Sequence, residues 1–76
     1  MTWQDHIELN PDVLLGKPVV KGTRLSVEFV LDMIAAGVSE AEILANYPRL
    51  TRAAVLACIA YALELVRSER AFPLSA

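Results

Sequence analysis

Three times after residue 24 the chain repeats one short unit: a hydrophobic residue, then Ser or Thr, then another hydrophobic residue four places past the hydroxyl. Leu25-Ser26 is followed by Val30, Val38-Ser39 by Ile43, and Leu50-Thr51 by Val55. Each hydroxyl sits where an N-cap accepts from the first free amides of a helix, and each flanking pair forms a hydrophobic staple. In the second unit Glu42 stands three residues after Ser39, the spacing of a capping box. Three helices are therefore predicted, over Val27–Ala36, Glu40–Asn46 and Arg52 to about Ser68.

The first helix places Val27, Val30, Leu31 and Ile34 on one face at i, i+3, i+4, i+7 spacing, with Glu28 and Asp32 on the wet side. Gly37 supplies its C-cap, and Phe29 with Met33 either widens the core or packs against a partner. The second helix buries Ile43, Leu44 and Tyr47 and stops before Pro48. The third is apolar on almost every side. Val55, Ile59, Ala62 and Val66 are enough for a core face, yet Leu56, Ala60 and Leu63 form another, extended by Ala53, Ala57 and Leu65. Between Ala53 and Val66 the only charge is Glu64. A helix of this kind needs cover on nearly all sides, and two shorter helices cannot provide it. Ala53, Leu56, Ala57, Ala60 and Leu63 are therefore the expected dimer interface.

Ahead of the helices lies Gly16 to Ser26, reading GKPVVKGTRLS. Val19-Val20 between constrained turns reads as a small strand, Lys21-Gly22 as a reversal with Gly22 at positive φ, and Ile7-Glu8-Leu9 as a strand able to pair with it. Together these predict an N-terminal β-ribbon over about residues 7–25. Val13-Leu14-Leu15 forms a turn or lies extended. Met1 to His6 shows no period and is expected to fray. The glycines do not form a phosphate loop, because its spacing and its Lys-Ser/Thr ending are missing and Pro18 removes an amide.

Size and charge narrow the functional classes. A 76-residue chain makes one domain, residues 1–76, and buries only about three fifths of its unfolded surface. With 55% hydrophobic residues it carries more apolar surface than it can hide, which again points to self-association. Seven basic against nine acidic side chains leave a net charge of -2, unlike a general nucleic-acid binder. The lone Cys58 reads as a small buried hydrophobe in a reducing compartment. No signal-peptide pattern and no stretch long enough to span a bilayer is present, so the expectation is a cytoplasmic protein without membrane contact.

Chemistry-bearing constellations are sparse. His6 and Cys58 are single and lie in different regions, so neither a metal site nor a Cys-His pair is expected, and the chain reads as non-enzymatic without a cofactor. The order of helices, with a break at Tyr47-Pro48-Arg49-Leu50, is similar to helix-turn-helix. In that reading Arg49, Thr51 and Arg52 are the DNA-contact candidates, a thin reading face because alanines follow. Lys17, Lys21 and Arg24, with Arg67 and Arg70 near the end, are candidates for contact with a partner or a phosphate. Arg24 has a second reading, as a tie from the ribbon to carbonyls or to Glu28 or Asp32. Residues 71–76 read as a tail whose Phe72 and Leu74 offer docking groups.

From Gly16 to Ala62 the chain resembles domain-of-unknown-function family 433. The likeness is carried by Gly16-Lys17-Pro18, Gly22-Thr23-Arg24, Gly37, Ser39 with Glu42-Ile43-Leu44, Tyr47-Pro48 with Leu50, and Tyr61, and it covers Ile7 to about Glu64. The resemblance implies a mainly α, homeodomain-like three-helix domain with a small N-terminal β-ribbon. It further implies a VapB-type antitoxin-like homodimer, partnered by operator DNA and by a PIN-like ribonuclease toxin. The alternatives are a stand-alone helix-turn-helix regulator and a protein-interaction module that never meets nucleic acid.

Overall fold

The computed structural model describes residues 2–12 and 16–68. The readings of Val13–Leu15 as a turn or extended, of Arg70 as a contact and of 71–76 as a tail lie outside the described residues. Strand β1 (Ile7–Leu9) pairs antiparallel with β2 (Pro18–Val20), in the register Ile7 with Val20 and Leu9 with Pro18. Helices α1 (Val27–Ala35), α2 (Glu40–Asn46) and α3 (Arg52–Ser68) follow. The fold is mainly α with a two-stranded N-terminal sheet, as the sequence pattern predicts.

All three caps form. Ser26 Oγ accepts from Phe29 N–H at 2.9 Å, Ser39 Oγ from Glu42 N–H at 3.1 Å and Thr51 Oγ1 from Ala54 N–H at 3.1 Å. The residue four places after each cap is buried: Val30, Ile43 and Val55 are at most 3% exposed. These caps fix where each helix starts and so which side chains face inward.

α1 ends one residue earlier than expected, at a Schellman motif. Gly37 N–H donates to Ile34 C=O and Val38 N–H to Met33 C=O, both at 3.0 Å, with Gly37 at φ +89°. A Cβ there would meet nothing within 4 Å, so a substitution is felt through the backbone alone. Gly37→Ala is expected to cost about 1 kcal/mol. The urea midpoint of unfolding checks it, and an unchanged midpoint would contradict the assignment.

The turn after β2 is held by its own side chain. Thr23 Oγ1 donates to Val20 C=O at 2.8 Å and accepts from Leu25 N–H at 3.0 Å, while Gly22 takes φ +79°. Val19 forms an isolated bridge with Ser26, so the second arm of the turn adds no third strand.

Ribbon and helices share one core. Ile7 and Val20 from the sheet meet Val27 and Val30 of α1, Ile43 of α2, and Ala54, Val55, Ala57 and Cys58 of α3, with Leu50 closing one end. Leu31, Ile34, Leu44 and Tyr47, expected inside, are partly buried against it, as is Met33. Phe29 is 38% exposed and stands edge-on to Tyr47 at 5.6 Å.

Two expectations are corrected. Residues 3–5 do not fray: they form a 3₁₀ turn against α3, where Trp3 meets Tyr61 edge-on at 4.8 Å and its indole N–H donates to the Glu64 carboxylate. The burial available to one large aromatic side chain outweighs the lack of local pattern. The second concerns the inward face of α3. Ile59 and Val66, assigned to the core, are 42% and 65% exposed, whereas Ala54 and Cys58 are buried. Small residues face inward because the ribbon, α1 and α2 all press on this short stretch of helix.

Candidate interaction surfaces

Most apolar residues of α3 fall into two sets, with Leu65, 51% exposed, outside both. Ala54, Val55, Ala57 and Cys58 fill the core, and Leu56, Ile59, Leu63 and Val66 face outward at 39%, 42%, 46% and 65% exposure. At 100° per residue these four fall within an arc of about 80°. Their 3-4-3 spacing is that of alternating a and d positions in a helix-pairing seam. Trp3 covers the neighbouring flank of the helix and leaves this stripe open. The residues expected at a dimer interface are thus divided. Leu56 and Leu63 lie on the stripe, Ala60 and Ala53 are half-buried beside it, and Ala57 lies inside the protomer's own core with no exposure. Ile59 and Val66 were missed because their spacing also suits a core face. The 3-4-3 series was the signal that could have found them.

The DNA-contact candidates are occupied. Thr51 is the cap of α3, Arg52 Nε pairs with Glu40 Oε2 at 3.2 Å, and Arg49 Nη1 donates to the Gly22 carbonyl at 3.2 Å. Below Arg52, the outward face of α3 offers the stripe of Leu56, Ile59 and Leu63, which carries no group able to hydrogen-bond a base edge.

The basic candidates also sort themselves. Lys17 Nζ lies 3.3 Å from Glu28 Oε1, an exposed pair worth at most about 1 kcal/mol. Lys21, Arg24 and Arg67 are exposed, and no carboxylate pairs with them among the described residues. The tie between ribbon and helical region, expected from Arg24, is made by Arg49. A guanidinium in the α2–α3 turn reaches back across the chain, a contact no local pattern encodes.

Arg24 and Arg49 flank a groove of about 710 Å³ between the Gly22–Leu25 turn and the Asn46–Arg49 turn. Its lining contains no Asp or Glu. Elsewhere, burial pushes the Cys58 thiol from 9.0 up to about 11, so it remains protonated and enclosed at neutral pH. Among the described residues no cluster of His, Cys, Asp and Glu is arranged to hold a metal ion, and no helix is long and apolar enough to cross a membrane.

Comparison with curated proteins and with solved structures returned no match. A family model does match, over residues 7–62, from the first strand to the middle of α3. That span takes in the ribbon, all three caps and both turns of the groove, and the chain belongs to the family described as protein of unknown function (DUF433).

Proposed function

We propose that this protein is a non-enzymatic interaction module of the antitoxin kind: it pairs with a second copy through α3, and the pair inactivates a partner protein by occupying it. The observation that carries the reading is the outward stripe of Leu56, Ile59, Leu63 and Val66, left exposed among the described residues on a helix whose inward side fills the core. Apolar area in a continuous helical row favours association with another helix. The antitoxin-like character that the family resemblance implies suggests the kind of partner, a PIN-like ribonuclease. Its acidic metal site suits inhibition by basic groups placed over it.

Operator binding takes second place. A helix-turn-helix reader presents polar side chains at the start of its third helix, and here Thr51 is spent on the cap, Arg52 is paired with Glu40 and alanines follow. A net charge of -2 offers little general attraction for a duplex.

Titration of the product of the adjacent gene, assayed for ribonuclease activity, with this protein tests the proposal. Activity is expected to fall linearly to an end point set by stoichiometry and to stay there with time. Progressive loss at sub-stoichiometric amounts would mark an enzyme, and unchanged activity without a co-purifying complex would remove the antitoxin reading.

A further inference from the structure

The groove between the two turns carries a proposal of its own. Two of the six basic side chains among the described residues are paired with a carboxylate: Lys17 with Glu28 and Arg52 with Glu40. Arg24 and Arg49 are not. Arg49 spends one nitrogen on the Gly22 carbonyl, a neutral acceptor, which steadies the guanidinium beside the groove and leaves its charge and its other donors unspent. Arg24 stands exposed across from it, with no carboxylate partner among the described residues.

The walls are fixed before any ligand arrives. Thr23 bridges Val20 and Leu25, and Leu50 N–H closes the opposite turn on the Tyr47 carbonyl at 2.9 Å. Preformed walls lower the entropy lost on binding. The same lining includes Leu25, Tyr47 and Pro48, apolar surface for the side chain next to a bound charge.

We propose that this groove receives an acidic peptide segment of a partner protein, with Arg24 and Arg49 holding an Asp or Glu carboxylate and the apolar lining taking an adjacent apolar side chain. A guanidinium fork matches a carboxylate in plane and in donor spacing. A duplex fits less well. Its charges recur about every 3.4 Å along each strand, and the two guanidinium groups of the groove meet only one or two of them. The proposal rests on the reading of the protein as an interaction module, and it concerns a surface separate from the α3 stripe.

The test is titration of the ¹⁵N-labelled full chain with an acetylated, amidated hexapeptide alternating Leu with Asp and Glu, and with its twin carrying Asn and Gln. The acidic peptide is expected to give saturable shifts at the amides of Gly22, Thr23, Asn46 and Arg49, with binding at least tenfold weaker for the twin. Arg24→Gln, an exposed change that leaves the fold intact, is expected to weaken the acidic peptide by a similar factor. Equal response to both peptides, no response, or shifts at these amides with a duplex oligonucleotide alone would overturn it. The ribonuclease complex separates the two readings: a complex that forms and is indifferent to Arg24→Gln defeats the groove and leaves the module standing, whereas peptide binding without any complex does the reverse.

Discussion

An Ala57→Glu chain is expected not to fold. Ala57 has no exposure and sits among Ile43, Val55 and Cys58, with no basic side chain buried nearby. A carboxylate forced into this space has neither room nor a partner, and the cost is about 3–5 kcal/mol or more. A chain of this length holds a total stability of only about 4–11 kcal/mol. Loss of the cooperative thermal transition, with the protein recovered as aggregate, is the predicted result by circular dichroism and solubility. A folded, soluble Ala57→Glu protein would mean that α3 faces the other way.

Six positions later along the same helix, the same kind of change has a different consequence. Leu63 is 46% exposed on the outward stripe, so a glutamate there remains in water in the single chain. Leu63→Glu is expected to keep its helical signal and its unfolding cooperativity. In the proposed pair, however, the charge would be trapped against the apolar stripe of a second copy. A loss of about 2 kcal/mol, the size of an interface hot spot, raises the dissociation constant about 30-fold. Together the two variants separate the roles of two sides of one helix.

That separation is also where the sequence stops being legible. Helix starts are local: Ser26, Ser39 and Thr51 each act on an amide three residues away, so a pattern in sequence suffices. Gly37 and Gly22 are local as well, since a positive φ asks only about the residue that adopts it. The pairing of Ile7 with Val20 is close behind, because two short apolar runs have few other partners. Orientation of α3 is another matter. It carries apolar residues on both arcs, so hydrophobicity does not choose between Ala54-Cys58 and Ile59-Val66 as the inward set. The choice is made by distant elements: Ile43 and Val30 on one side, and Trp3 reaching Tyr61 from the opposite end of the chain.

The basic residues follow the same rule. Arg24 and Arg49 are 25 positions apart, and nothing in either neighbourhood shows that Arg49 bonds the Gly22 carbonyl while Arg24 stays exposed. Nor is the groove between them visible in the chain, although both of its turns are. Motif residues announce turns; only the fold shows that two turns face each other. The engagement of Arg52 with Glu40 likewise joins the starts of two helices and changes the value of a residue that sequence alone marks for DNA.

The central claim is that the outward stripe of α3 pairs two copies of the chain. Sedimentation equilibrium of the wild-type protein and of Leu63→Glu, over a range of concentrations at one salt, tests it most directly. The account predicts a wild-type mass that reaches twice the 8.3 kDa chain and a Leu63→Glu mass that rises above 8.3 kDa only at concentrations about 30-fold higher, with the same circular dichroism spectrum for both. A wild-type protein that remains at 8.3 kDa at every concentration, or a Leu63→Glu protein that dimerises as tightly as the wild type, would contradict it.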